Sequence, residues 1–540
     1  MGSERGCNDP LVTVDTTTTH EVPMVRSVPV RLAVAAILGM VFPGACAGGA
    51  PGADAFPTTI RSEPGHCQLA DGAPGDCPPD RCAPGDGVAP DAAPMPWPEP
   101  YGGMVPDPAG RGLSTASCAS SSCHGGPRGG NHASHTFAAT TWVTTDPHAG
   151  AYETLFEPRS VRMARLLGIG PPHTERQCLV CHSVQEAAPD PLPPAVLADG
   201  AGCASCHGDA TGWLEAHSQA DWKRLSAAEK RAVGFRDLSG PLGRARECAR
   251  CHVGDADHDM HHDHVAAGHP RLLFELAQLQ RRWPRHWDPR GRAETEPDFQ
   301  ARSWAVGQAV ALEAAATLLA ARASRAAAAV KTGAPTRWPE YTEFDCQACH
   351  RDLTRAEALT DAAPLPRRLP PGTPGWQPWF VTGSGLLDAG LATPSSADGA
   401  ELAGQVSALR ANLAREWLAI DAARIEQIAA EARGVVRGAR RTAETLAAAP
   451  DIRVAADGGR LDRLAATDPR LWRSWDAAVQ MTLALEADRR GGPATLGVQH
   501  PGDRSHPLDR LRESLLYPLG FDAPVGFDPE RFHQRRADVP

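Results

Sequence analysis

Aromatic side chains are scarce in this chain: 12 Phe and 4 Tyr, with 13 Trp, make up only 5 % of 540 residues. A chain so poor in large rings lacks the side chains that usually fill large cores. Lysine is scarcer still, limited to Lys223, Lys230 and Lys331, so almost every basic residue is an Arg. Guanidinium forks pair with carboxylates better than ammonium groups do, although a codon bias yields the same composition. No basic patch dominates and the formal net charge is −10, so nucleic acid is not an expected partner. The apolar run Leu32 to Phe42 is too short to span a bilayer. The length allows two to four domains.

What the chain does have is 15 Cys, ten of which form five pairs, each pair followed directly by a His. Cys178-Leu179-Val180-Cys181-His182 and Cys203-Ala204-Ser205-Cys206-His207 stand close together, and Cys248-Ala249-Arg250-Cys251-His252 and Cys346-Gln347-Ala348-Cys349-His350 follow. The first pair is stretched, with Cys118 and Cys123 ahead of His124. This is the attachment pattern of a c-type haem. Each thiol forms a thioether to a haem vinyl, and the adjacent imidazole binds the iron. Zinc knuckles also use paired Cys-x-x-Cys, but zinc has no need of a His after every second Cys. Five covalently bound haem c groups are therefore expected, with His124, His182, His207, His252 and His350 as proximal ligands. The macrocycles supply apolar surface that aromatic side chains do not, and Arg suits their propionates.

Residues 1–23 read as an upstream extension, with Met24 the better start. Residues 24–47 read as a secretory signal peptide: Arg26 and Arg31 precede the apolar run, and Ala45-Cys46-Ala47 offers a small-residue cleavage site. A periplasmic or otherwise exported protein follows, with no transmembrane span after signal removal. A lipid anchor at Cys46 is the weaker alternative, because Pro43-Gly44-Ala45 matches the expected preceding residues poorly. Residues 48–113, rich in Pro, Gly, Ala and Asp, read as a disordered tether. Cys67, Cys77 and Cys82 lie there, and a disulfide between two of them is the default in an oxidising compartment. Residues 114–355 read as a pentahaem cytochrome domain, and 356–540 as a Pro-rich wrap and a C-terminal helical region.

Each iron needs a sixth ligand or keeps an open face, and neutral imidazole is the first candidate. Eleven further His lie between His132 and His286, so full bis-His ligation is attainable. Thr141-Trp142, the run Asp146-Pro147-His148-Ala149-Gly150-Ala151-Tyr152, and Trp213-Leu214-Glu215-Ala216-His217 after the Cys203 motif form one set of signatures. His262-Asp263, and Ala266-Ala267-Gly268-His269-Pro270-Arg271-Leu272 with Phe274-Glu275, form another. Together they resemble the cytochrome c-554 family of multihaem cytochromes. The resemblance implies an exported, mainly helical protein whose closely packed haems relay electrons, related in haem arrangement to hydroxylamine oxidoreductase and pentahaem nitrite reductase. It also implies His148, His217, His262 and His269 as distal ligands. The fifth lies among His173, His135 and His286, with His173 preferred for its Pro-Pro-His setting. The remaining His of the run 258–264 read as a solvated cluster or an adventitious metal site.

Ala301 to Lys331 reads as a long Ala-rich helix ended by Gly333 and Pro335. Leu402, Val406, Leu409, Leu413, Trp417 and Ile420 recur at helical spacing, and Trp472, Trp475, Val479 and Leu483 mark another helix. The expected fold class is mainly α: a multihaem cytochrome c with little regular β structure, plus a C-terminal helical bundle. That bundle packs on the haem region or serves as a homo-oligomer interface. Electron transfer between redox protein partners is the leading function. The alternative is an oxidoreductase acting on hydroxylamine, nitrite or a sulfur oxyanion at one open haem. No Lys follows a Cys pair, and no Tyr among Tyr101, Tyr152, Tyr341 and Tyr517 is placed for a haem cross-link, which disfavours the alternative. Without haem the chain lacks the apolar surface to offset its entropy. Haem-free protein is thus expected to be protease-sensitive, and a compact, protease-resistant haem-free form would contradict this.

Overall fold

The computed structural model describes residues 113–127, 134–183, 192–287, 299–344, 397–416, 421–448, 472, 475–489, 507–516 and 527–539. The chain divides into two units, Met1–Ala92 and Ala93–Pro540, and every described residue belongs to the second. Residues 1–47, Cys67, Cys77 and Cys82, the fifth motif at Cys346, Cys349 and His350, and the Pro-rich wrap lie outside the described residues. Helices and 3-10 turns are the regular elements, with no strand among the described residues.

The haem-motif half is built from short helices: α1 (Ala138–Thr145), α2 (Pro158–Leu167), α3 (Arg176–His182), α4 (Pro194–Ala198), α5 (Cys203–His207), α6 (Ala227–Ala232), α7 (Pro241–His252), α8 (His262–Ala266) and α9 (Leu276–Arg282). Proline opens α2, α4 and α7, where its missing N–H costs nothing and its fixed φ suits the first turn. Such short pieces bury little on their own. Tyr152, Leu155 and Leu179 make one small cluster apart from the main core.

The other half is built from long helices: α10 (Phe299–Thr332), α11 (Ala397–Glu416), α12 (Ala422–Ala448) and α13 (Trp475–Arg489), with the short α14 (Pro507–Glu513) and α15 (Pro529–Ala537). Helix α10 is the centre. From Ala301 to Ala316 every residue but Ala314 is buried, the pattern of a helix covered all round rather than on one stripe. Among the described residues it is the one helix long and apolar enough to cross a membrane, yet 83 % of its apolar window is buried inside the protein, as a core helix requires. Its end is set by Gly333 at φ +69°, with Ala334 N–H donating to the Ala329 carbonyl at 2.9 Å, a left-handed stop that glycine adopts without strain.

Helix α10 packs along α12 and touches α7, α9 and α13. Its buried Glu313 carboxylate holds two neighbours at once, Arg440 of α12 at 2.7 Å and Arg246 of α7 at 3.3 Å. Such a buried pair contributes less to stability than to register. The expected apolar repeat of α11 is present, with Leu402, Val406, Leu409 and Leu413 all buried; Trp417 and Ile420 lie outside the described residues. Helix α12 was not anticipated from the sequence, although Ile425, Ile428, Ala432, Val435 and Ala439 are all buried at spacings of three and four. The bundle packs on the haem-motif half: Arg271 pairs with Asp476 of α13 at 2.5 Å, and Gln278 of α9 donates to Glu486 of α13 at 2.7 Å.

Two glycines in these helices test the packing from opposite sides. A Cβ on Gly307 of α10 would lie 2.7 Å from the Leu276 Cβ, whereas one on Gly404 of α11 meets nothing within 4 Å. Gly404→Ala is expected to raise the unfolding free energy by about 1 kcal/mol through helix propensity. Gly307→Ala is expected to lower it by about 1–3 kcal/mol through overpacking, and denaturant titration of both variants checks the difference in sign.

Candidate functional site

Three described motifs are built alike. In α3, α5 and α7 the Cys pair and its His are the last five residues of the helix. Helical spacing sets the two Cys, three apart, on one face and places the His, four after the first Cys, beside them. The stretched first motif reaches the same end differently. Cys118 follows the turn Thr115–Ser117, and His124 N–H donates to the Cys118 carbonyl at 3.2 Å. That is the bond a helix makes between residues four apart, so the longer spacer is looped out and the relation of His to first Cys is kept.

The motifs converge. The Cys118 thiol is hydrogen-bonded to that of Cys203, and the Cys181 thiol to that of Cys251. Burial pushes the Cys248 thiol up to about 12 and the Cys178 thiol up to about 11. The eight motif cysteines described are free of disulfides.

Each of the four motif histidines faces a second imidazole from a distant part of the chain. His124 and His217 are stacked with ring centres 6.2 Å apart and planes at 18°. His252 and His148 stand 6.3 Å apart at 83°, His182 and His269 6.3 Å at 83°, and His207 and His286 6.4 Å at 81°. An imidazole nitrogen binds a transition metal at about 2 Å and lies about 1 Å from its own ring centre, so two rings trans on one metal have centres roughly 6 Å apart. The four spacings fit one metal ion each. Yet no group of three or more His, Cys, Asp or Glu among the described residues is placed to hold a metal. Such facing imidazoles would hold a haem iron, with its other donors supplied from outside the chain, and no tetrathiolate of a zinc knuckle is formed among the described residues.

Burial holds His207, His252 and His269 down to about 4 and lowers His182 as well. These rings therefore stay neutral at ordinary pH, the form that binds metal. Their orientation is fixed from behind. The Nδ1–H of His124 donates to the His135 carbonyl at 2.6 Å, that of His182 to the Ala151 carbonyl at 2.8 Å, and that of His269 to the Pro270 carbonyl at 2.7 Å. His217 donates to the Leu214 carbonyl. His148 differs, since its Nδ1 bonds the carboxylate of Asp146 at 2.7 Å. Burial alone would lower His148, but the Asp146 hydrogen bond and charge outweigh it and raise it.

Of the expected distal residues, His148, His217 and His269 each oppose a motif histidine. His262 opens α8, its backbone N–H donates to Glu340 at 2.8 Å and its ring meets Tyr341 edge-on at 5.5 Å; His350 lies outside the described residues. The preference for His173 is not matched by the geometry. Its ring stacks on Phe156 at 4.5 Å, and the fourth opposing ring is that of His286, carried on the turn after α9. His135 contributes its carbonyl to His124 and sets its own ring edge-on to it at 6.4 Å. The run His258 to His264 is not a solvated cluster: His258, His261 and His264 are all buried. His258 is held by Asp255 at 2.8 Å, and the His261 and His264 rings pack on each other at 4.0 Å. Sequence reasoning overlooked Asp146, and the Asp-Pro-His turn that carries it was the available signal.

Residues 118–208 match the family model described as cytochrome c554 and c-prime. Over that stretch the chain is similar to the cytochrome c554 family. No curated protein and no solved structure matches it. The match supports a c-type cytochrome with covalently bound haem c that takes part in electron transfer. Haem would supply one-electron redox chemistry there, and the hydrogen bonds behind the imidazoles would fix their orientation. Replacing Cys203 and Cys206 together by Ala is expected to lower the covalent haem per chain by one, measured by haem absorbance against protein after denaturation and acid extraction.

Proposed function

We propose that the protein is an exported pentahaem c-type cytochrome that passes electrons between periplasmic redox partners through closely packed, mostly bis-His haems. The observation that carries this reading is the set of four imidazole pairs at 6.2–6.4 Å. In it the proximal and distal ligands are His124 with His217, His182 with His269, His207 with His286, and His252 with His148. The fifth haem is attached through Cys346 and Cys349 to His350, with His262 as its distal ligand. Bis-His iron lacks the Met that raises potentials, so the haems have low potentials. The thiol contacts between motifs support close packing, because each thiol marks one edge of its haem.

A second reading has one observation in its favour. A cavity of ≈ 470 Å³, lined by His261, Arg322, Arg325, Arg337 and Trp338 among others, borders the segment that leads into Cys346. An open fifth haem beside it would act on hydroxylamine, nitrite or a sulfur oxyanion. Its guanidinium groups are already engaged, however: Arg322 with Asp259 and Glu343, Arg325 with Asp259, and Arg337 with Asp263. A site built to capture an oxyanion needs cations not so neutralised, and the carrier reading is the better supported.

Carbon monoxide binds ferrous haem only at an open axial position. The spectrum of the reduced protein is expected to be unchanged by the gas, and His217→Ala is expected to turn one haem high-spin and CO-reactive. A CO shift worth one haem in the unaltered protein would overturn the carrier reading in favour of the oxidoreductase.

A further inference from the structure

Among the opposing rings whose Nδ1 bonds are described above, one is backed by a charge. His124, His182, His217 and His269 donate to neutral backbone carbonyls. His148 instead bonds Asp146, whose side chain is only 3 % exposed. The carboxylate is held on both sides. Its Oδ1 also accepts the His148 backbone N–H at 3.0 Å, and its Oδ2 accepts the Trp283 indole N–H at 2.7 Å. Trp283 in turn lies 6.4 Å from the His148 ring and 5.6 Å from the His286 ring, so it stands between two of the four imidazole pairs.

We propose that Asp146 is a positioning and tuning residue that makes the haem between His252 and His148 the lowest-potential haem of the four described pairs. This inference rests on His148 being an axial ligand. A buried carboxylate accepting the Nδ1–H draws that proton toward itself and leaves the ring more electron-rich, and an electron-rich ligand favours ferric over ferrous iron. The negative charge acts in the same direction through a medium that screens it poorly. The neutral carbonyls behind His124, His182, His217 and His269 do the same more weakly, and the Nδ1 atoms of His207 and His286 have no hydrogen-bond partner among the described residues to do so. Trp283 moderates the effect, because an indole N–H on the second oxygen withdraws part of the carboxylate's charge. Electrons reaching this haem therefore leave it for its neighbours, and the haem held by His207 and His286 is the adjacent one.

The two side chains have opposite signatures. Asp146→Asn keeps an acceptor for His148 but removes the charge. It is expected to raise the midpoint of one haem by at least tenfold in its redox equilibrium, about 59 mV for one electron. Trp283→Phe keeps the ring but removes the donor, and is expected to lower the midpoint of that same haem. Spectroelectrochemical titration reads both, with the haem identified as the one that turns high-spin in His148→Ala. If His148→Ala produces a high-spin haem while Asp146→Asn leaves every midpoint in place, or moves all of them together, the tuning role is overturned and the ligand assignment stands. If His148→Ala leaves all haems low-spin, the ligand assignment itself falls, and the tuning role with it.

Discussion

The constraint on which this fold rests is the meeting of imidazoles in opposed pairs drawn from distant parts of the chain. His124 meets His217, His182 meets His269, His207 meets His286 and His252 meets His148, all within 6.2–6.4 Å between ring centres. In each pair one ring ends a Cys motif and the other arrives on a turn far along the chain. The short helices of the haem-motif half follow from this. Long helices would carry the chain past the sites, whereas short ones joined by 3-10 turns let it double back to deliver the opposing ring. The backbone carbonyls freed at those turns then become useful, since they receive the Nδ1–H groups that fix the rings.

Rigidity comes from the other half. Helix α10 is enclosed by α7, α9, α12 and α13, and α7 ends in Cys248, Cys251 and His252. The small side chains of Ala245 and Ala249 on α7 are fully buried, which permits close approach, while Arg246 reaches Glu313 and sets the rotation of the helix. Arg322 does similar work lower on α10. Its side chain is 5 % exposed and is held between Asp259 and Glu343 at 2.6 Å each. That anchors the loop before α8 and the segment that leads toward the fifth motif. Ion pairs of this kind contribute specificity more than free energy.

Much of this was legible from composition and spacing. The five Cys–His motifs identify the cofactor because thioether attachment needs two thiols and one imidazole in fixed order. The long Ala-rich helix expected over 301–331 is present as Phe299–Thr332, since both its propensity and its Gly333 stop are local. Helix α12 carries an equally local signal, Ile425, Ile428, Ala432, Val435 and Ala439 at spacings of three and four, with Arg and Glu on the positions between. The opposing ring for His207 was harder. His173 follows two Pro directly and His286 stands two residues after Pro284, and local pattern cannot say which one the tertiary fold brings to a ring more than 30 residues away in one direction and more than 75 in the other. Burial of His264 likewise involves a distant partner, Gln177, which bonds it at 3.2 Å.

The contacts between thiols bear on how such a molecule is made. Cys118 lies against Cys203, and Cys181 against Cys251, each pair joining two different motifs. Any closure of the chain before haem attachment brings these sulfurs together, and under oxidising conditions thiols in contact form disulfides. Each such bridge would disable two motifs at once. Biogenesis is thus a race between loading and collapse.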